Sequence, residues 1–592
     1  MPDFKARTID WLAAAAGLER TQIATLLEQP PDPKLGDLAL PCFRLAAQFR
    51  RAPQKIAAEI AASELERPDF IAAVEATGAY VNVRFHPGAF VAAVVTAIQQ
   101  AGAKAADTAA ADSTDDDSDP ILIEFSSPNI AKPFHVGHGF STILGESLAR
   151  IHSYRGARVL RFNHLGDYGT QFGRLIVAWE RWRDDQALEE DPIAELTRIY
   201  VRFHAEVDKD PTLDDEARQR FRALENGEPE AVALWERFRE LSLESFSHIY
   251  RRLGIRFDNW NGESFYSPFI PGVIEQLRDA GLLEHSDGAE VVRLDDLDLP
   301  PALLLKSDGT TIYASRDVAA AIWRWQQHHF ARNLYVVGIP QTLHFRQVFA
   351  VLKKMGYDWA DRCQHVGFGT IRFQTGDVNS EEGAQISDFS TRAGNIVKLE
   401  DLLNETVAKT RSIMEQNQAG RDDGMTEEEI LLASELVGRA AVQFLYLKNG
   451  RERDILFSWE EMLDFEGDTA PYLLYTNTRI ASIMRRAGGE EAARASHQDL
   501  LLLGSESERE LATHLAGFDS IVELAARQSE PSNLARWLLQ LARSYNRYYA
   551  ATPILLTEDA GLRRARLALC QAVASRLGLG LHLLGIETVE RM

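Results

Sequence analysis

The chain has 592 residues, 45% of them hydrophobic and 26% charged, a soluble globular balance in a length that excludes a single core and predicts three or four domains. Its 64 Lys and Arg stand against 87 Asp and Glu, a formal net charge of −23. Taken whole, this argues against a nucleic-acid partner, unless the basic residues are gathered on particular faces.

The opening MPDFKARTIDWLAAAAGLER is helical in pattern. It lacks the basic n-region, apolar stretch and cleavage site of a secretory signal. No uninterrupted apolar run long enough to span a bilayer is evident, so a cytoplasmic location without a membrane partner is expected. Cys42, Cys363 and Cys570 stand far apart, with no pair at metal-ligand spacing, so neither a disulfide framework nor a bound metal is expected.

Residues 1–102 read as a small α+β module. A helix is predicted to about Leu27, a second helical stretch over Leu38–Glu66, an alternating strand over Gly78–Phe85, and a helix from Pro87. The Ala-, Asp- and Ser-rich segment 103–120 has no apolar periodicity and reads as a disordered linker. From 121 to 425 short apolar strands alternate with helices, at 121–125, Arg158–Phe162, Ala302–Lys306, Leu334–Val337 and His365–Phe368. That pattern predicts a parallel sheet covered by helices on both faces, with a charged helical insertion around 177–255. From 426 to 592 only helical spacing remains, as in Leu534, Leu538, Leu541 and Tyr545, and an all-α domain is expected.

Chemistry concentrates in Ile121–His138, ILIEFSSPNIAKPFHVGH. A buried strand, a polar turn and a helix opening at His135-Val136-Gly137-His138 would offer backbone N–H groups and a helix dipole to anionic oxygens. The missing Cβ of Gly137 would let a flat ring approach. Lys132 is either a surface lysine or a point charge over a phosphate chain. Glu124, ionised within an apolar strand at its carboxyl end, invites a cationic substrate, and Asn129 offers both a donor and an acceptor. Tyr313 and Asp317 are four apart and share a face if helical. That face would suit a guanidinium, although a plain helix N-terminus fits equally. Gln341 and His344 follow a strand, and Ser390-Thr391-Arg392 form a polar loop from which Arg392 would reach phosphates. The glycines of Asn163–Gly173 do not have dinucleotide spacing, so neither NAD nor FAD is expected. In the last domain Arg543, Asn546, Arg547, Tyr548 and Tyr549 interleave cations with aromatics, a pattern suited to unpaired nucleotides.

Glu124–Lys132 followed by His135–His138, the block NHLGDYGTQFG (163–173), Glu263–Tyr266, Gln341 with His344, Phe465–Tyr472 and the terminal LLGIETVERM occur in one order. Over nearly its whole length the chain therefore resembles the arginyl-tRNA synthetases, class I aminoacyl-tRNA synthetases. The resemblance implies a Rossmann-like catalytic domain, a preceding α+β tRNA-binding domain and a following all-α anticodon-binding bundle. It implies an arginine–tRNA ligase, with arginine activated by ATP and Mg²⁺ to arginyl-adenylate and then transferred to tRNA(Arg), with tRNA needed already for activation. No DNA partner is implied, and a monomer is expected.

By family pattern Lys132, His135, His138 and Arg392 would be catalytic. His135, Gly137, His138, Ser390 and Thr391 would bind ATP, and Glu124, Asn129, Tyr313, Asp317 and Gln341 would bind arginine. Tyr80, Asn82, Arg479 and Arg547 would contact tRNA. Two departures stand out: Asp388 occupies the place of a lysine in the family's KMSK-type loop, and an acidic insertion spans Gly376–Gln385. The first leaves a second reading open, a non-charging tRNA- or arginine-binding paralogue. A stand-alone nucleotidyltransferase would leave both flanking domains unexplained.

Overall fold

The computed structural model describes residues 4–108, 118–286, 288–306, 311–375, 385–387, 397–418 and 424–592. They form two compact units. One comprises residues 1–112, 476–521 and 537–579, and the other 113–475, 522–536 and 580–592.

The first unit begins with helices Phe4–Ala16 and Arg20–Leu26, where a single helix to Leu27 is predicted. The break is at Gly17, whose φ of 63° ends the first helix in the left-handed region. Strands β1 (Leu38–Pro41), β2 (Ile71–Thr77) and β3 (Tyr80–Phe85) form an antiparallel sheet in the order β1-β3-β2. The helix expected from Leu38 is therefore a strand at its start. Leu38 and Leu40 pair with Val83 and Val81 and are buried, so sheet pairing overrides the helical propensity of Leu and Ala. Helix Pro87–Thr108 runs into the stretch expected as a linker, since its Ala-rich end favours helix, and 109–117 lie outside the described residues. The same unit holds the basic and aromatic helices of the C-terminal part, and Arg509 there pairs with Asp37 of the first module.

The second unit is built on a four-stranded parallel sheet. Its strands are β4 (Ile121–Glu124), β5 (Val159–Phe162), β9 (Arg332–Gly338) and β10 (Cys363–Phe368), in the order β10-β9-β4-β5. Chain order reverses between β4 and β9, so a crevice opens at their carboxyl ends, where open α/β sheets bind ligands. Between β5 and β9 lie the helices Thr170–Trp182, Asp185–Glu190, Pro192–Val207, Thr212–Glu225 and Pro229–Leu253.

The predicted strand at Ala302 does not join this sheet. It is β8 (Ala302–Leu305) of a separate antiparallel sheet with β6 (Leu283–Ser286) and β7 (Ala289–Val292). Its alternating burial, one face in and one out, is that of a sheet covered on one side. Beyond Thr426 the chain is not wholly helical, because β13 (Ile455–Phe457) pairs with β11 (Ile371–Thr375), beside β12 (Gln385–Ser387). Three residues are too few to show a periodicity in the sequence. Helix Glu427–Leu447 has the length and apolarity of a membrane span, yet most of it is buried in this unit as a core helix.

Candidate active site

The signature segment leaves β4 at Glu124, turns through residues 125–134, and enters helix Val136–Tyr154 with His135 as N-cap. The Nδ1 of His135 accepts hydrogen bonds from the backbone N–H of Gly137 (3.1 Å) and His138 (3.3 Å), and His138 Nδ1 accepts from the backbone N–H of His135 (3.3 Å). The rings stack at 3.7 Å. A ring nitrogen that accepts from an amide carries no proton, so both histidines present Nε2–H as donors when neutral. Burial, aided by the charge of Lys132, lowers His135 to about 4, and burial with His135 and Lys132 holds His138 well below its ordinary value. Both rings are neutral donors at physiological pH. A Cβ at Gly137 would press on the His135 ring at 3.0 Å. The cap itself therefore favours a glycine here, a reason different from ligand access.

Lys132 lies half-buried on the turn, with Nζ 5.9 Å from the Tyr200 ring of the helical insertion. Burial lowers its pKa, so an anion beside it would relieve the cost of its charge. Asn129 is bridged to Gly166: Ile130 N–H donates to Gly166 O (3.2 Å) and Gly166 N–H to Pro128 O (3.1 Å). An ideal Cβ at Gly166 would overlap Asn129 Oδ1. That contact explains one glycine of the 163–173 block.

Across the crevice, helix Tyr313–His328 starts at Tyr313, so Tyr313 and Asp317 do share a face. Tyr313 is 64% exposed, with the Arg316 guanidinium 5.2 Å from its ring. Asp317 Oδ2 lies 2.5 Å from His344 Nε2, and His164 Nε2 is 4.0 Å from Asp317 Oδ1. Burial alone would raise the Asp317 carboxyl, but the hydrogen bond from His344 and the neighbouring positive charges hold it below the usual range. Burial opposes the charge of His344, yet the Asp317 bond raises its pKa overall. Gln341 is exposed at the end of a short 3₁₀ turn after β9.

Glu124 departs from the sequence reading. Its strand position does demand a cation, but the chain supplies one: Arg324 Nη1 stands 2.6 Å from Glu124 Oε2, both side chains buried. Arg324 is also flanked by the rings of Phe162 (5.0 Å), Tyr335 (5.5 Å) and Tyr266 (5.7 Å). The signal was present as a lone arginine in the apolar run AAAIWRW (319–325), on the same helix as Asp317. Both carboxylates thus have a partner within the chain, Glu124 an arginine and Asp317 a histidine. Glu263, also beyond the sequence's named candidates, pairs with Arg316 at 3.2 Å, and burial pushes its carboxyl up to about 8 despite that partner.

Arg392, Ser390, Thr391 and Asp388, with residues 376–384 of the insertion, lie outside the described residues. Val397, which follows them, is hydrogen-bonded to the signature: Val136 N–H donates to Val397 O (3.2 Å) and Leu399 N–H to Phe134 O (3.0 Å).

Three family models match the chain. "Arginyl tRNA synthetase N terminal domain" covers residues 6–85, "tRNA synthetases class I (R), catalytic domain" 101–459, and "DALR anticodon binding domain" 473–592. The chain is 43% identical to the arginine–tRNA ligase of Clostridium perfringens over 590 residues, covering all of both chains. The chain belongs to the arginyl-tRNA synthetase family. The arginine–tRNA ligase of Clostridium acetobutylicum is 42% identical, again over the whole of both chains. Among solved structures, Thermus thermophilus arginyl-tRNA synthetase is similar at 26% identity and TM-score 0.76, covering 100% of each chain. The Plasmodium falciparum enzyme, at 23% identity and TM-score 0.74 over 99% of this chain and 98% of its own, shares the fold.

The residues expected to meet tRNA fare unequally. Asn82 is largely buried in β3, the middle strand of its sheet. Tyr80 is half-buried, with its ring edge-on to the exposed Phe43 at 5.6 Å. Arg547 is exposed and paired with Glu510 at 2.7 Å. Arg479 donates to Asn546 (2.6 Å) and lies 5.4 Å from the Tyr549 ring. Tyr548 is a core residue, so of the predicted cation–aromatic run Tyr549, at 38% exposure, is the ring left open to solvent.

Proposed function

We propose that the chain is an arginine–tRNA ligase, which activates L-arginine with ATP and esterifies it to tRNA(Arg). The observation that carries this is the pairing, across one crevice at the carboxyl ends of β4 and β9, of a phosphate-suited wall with a guanidinium-suited wall. His135, His138 and Lys132 form the first, and Asp317, Tyr313 and Glu124 the second.

Asp317 accepts the guanidinium of arginine in charge-assisted hydrogen bonds, and the remaining oxygen of Glu124 assists. The Tyr313 ring covers the planar group. Asn129 and Gln341 orient the amino-acid end. The arginine carboxylate oxygen attacks the α-phosphorus of ATP, the bond to the bridging oxygen breaks, and pyrophosphate leaves. Lys132 and the two Nε2–H groups meet the charge that develops on the phosphate oxygens. A ribose hydroxyl of the tRNA 3′ end then attacks the adenylate carbonyl, and AMP departs. Neither step needs a covalent enzyme intermediate, so the catalytic contribution is positioning and charge stabilisation. Mg²⁺ enters on the ATP phosphates as part of the substrate. Arg392, Ser390 and Thr391 are assigned to the ATP phosphates by the family pattern alone, and Tyr80, Asn82, Arg479 and Arg547 contact tRNA. The enzyme works as a cytoplasmic monomer.

The test is ATP–pyrophosphate exchange with purified protein. Exchange is expected with arginine in the presence of tRNA(Arg), followed by labelled arginyl-tRNA. Equal exchange with lysine, or tRNA binding without any ester formed, would overturn the assignment.

A further inference from the structure

The turn that carries Asn129 and Lys132 is not relaxed. Ser126, Ser127 and Ala131, none of them glycine, have φ of 70°, 46° and 59°. Left-handed non-glycine residues are strained, and they persist only where surrounding structure over-determines them. The support here comes largely from one element, the last helix of the insertion, Pro229–Leu253.

Two hydroxyls on that helix make the attachment. Ser242 Oγ accepts the backbone N–H of Ala131 (2.8 Å) while donating to Phe238 O (2.6 Å). The Tyr250 hydroxyl stands 2.6 Å from Ser126 Oγ and 3.0 Å from Asn163 Nδ2. Ser126 Oγ is in turn 2.8 Å from Thr142 Oγ1, which donates to His138 O (2.6 Å). Asn163 donates to Tyr250, the Tyr250 and Ser126 hydroxyls share a bond in which either can donate, and Thr142 donates toward both Ser126 Oγ and the His138 carbonyl. The chain thus starts in the 163–173 block, passes through the insertion helix and ends on the helix that carries both histidines. Phe246, one turn from each hydroxyl, packs against Phe134 at 5.7 Å, and Phe134 precedes His135. Ser242, Phe246 and Tyr250 form a stripe at i, i+4 and i+8, all buried beneath the turn.

We propose that Ser242 and Tyr250 are positioning residues for amino-acid activation: through their hydroxyls the insertion helix holds the strained turn in the shape that presents Asn129 and Lys132 to arginine and ATP. The inference rests on the ligase reading above. It gives the helical insertion a part in the chemistry of the sheet domain, although none of its residues need touch arginine or ATP.

The test compares Tyr250→Phe and Ser242→Ala with wild type in tRNA-dependent arginine activation, resolving kcat from the KM of arginine and of ATP, alongside thermal melting. Phe238→Leu serves as a packing control, because Phe238 is buried on the same helix with its ring against Trp179. Each hydroxyl deletion is expected to lower kcat/KM for arginine by about 10- to 100-fold while melting stays close to wild type. Phe238→Leu is expected to lower melting and leave the KM values in place. Wild-type kinetics in both hydroxyl variants would overturn the inference, and so would a loss in Phe238→Leu as large as theirs. Should Tyr250→Phe fail to fold, Ser242→Ala carries the comparison. Failure of both to fold would count against an assignment that places these hydroxyls in the site. An inactive wild-type protein would instead strike the ligase reading.

Discussion

Lys132 carries a charge in a half-buried place, and the neutral His135 and His138 rings add only dipoles, so most of the fixed positive charge at this wall is one ammonium group. Lys132→Ala should cost about 3–4 kcal/mol of transition-state stabilisation, read as a fall in kcat for pyrophosphate exchange with little change in melting. Because His135 titrates near 4, kcat/KM for ATP should show no step from it between pH 6 and 8, which a pH–rate profile checks. Glu263 behaves in the opposite sense. Its folded pKa of about 8 lies above the unfolded value, so the stability it contributes is full below about pH 4.5 and is lost as pH rises through 8. Glu263→Gln fixes the neutral form. Thermal melting of that variant should decline less between pH 6 and 9 than that of wild type, and parallel curves would contradict the assignment. None of these protonation states is legible in the sequence, because each follows from burial and from neighbours such as Arg316, distant in the chain.

At the level of elements, the strand–turn–helix from β4 into Val136–Tyr154 was readable from residue types alone. A short β-branched run, turn residues and a helix-opening His-x-Gly-His sufficed. At Tyr313 the sequence offered only a condition, that Tyr313 and Asp317 share a face if helical, and the helix Tyr313–His328 meets it. What escaped was the pairing between elements. The loop after β5 meets the signature turn through Gly166 and Asn129, a contact made by a glycine whose role no local pattern reveals. Gly166→Ala should displace the Asn129 amide and raise the KM of arginine at least about 10-fold, with the KM of ATP less affected. A KM for arginine equal to wild type would show that the loop yields without moving Asn129. Short strands were missed for a related reason. β13 is three residues long and β1 reads as helix, and each is a strand because a partner strand satisfies its backbone groups.

Over the whole molecule, the end of the chain belongs with the catalytic unit. Ser147 Oγ donates to Leu583 O (3.0 Å) and Gln443 Nε2 to Gly585 O (2.9 Å), while Arg439 pairs with Glu587 and Glu429 with Arg591, each at 3.0 Å. Ile586 and Val589 are buried there. Ser147 lies on the helix that carries His138, so the tail braces the back of the signature helix. Removing residues 586–592 should lower the melting temperature of the catalytic unit and reduce arginine activation. Activity and melting unchanged by the truncation would show the tail to be dispensable. Such ties also bear on the acidic balance of the chain, because many of its carboxylates are committed to arginines within the fold and net charge alone misjudges what a surface can bind.

By itself the sequence determined the order of motifs, the alternation of strands and helices that implies a parallel sheet, and the residue types of a phosphate wall and a guanidinium wall. Those are properties of local pattern and composition, which the chain carries whatever its neighbours. The tertiary structure decided the rest. Glu124 meets Arg324 two hundred residues away, Asp317 stays charged against His344, and a turn of left-handed residues is held by an insertion helix. Each of these depends on desolvation and on partners brought together only by folding, and neither is encoded in the spacing of residues along the chain.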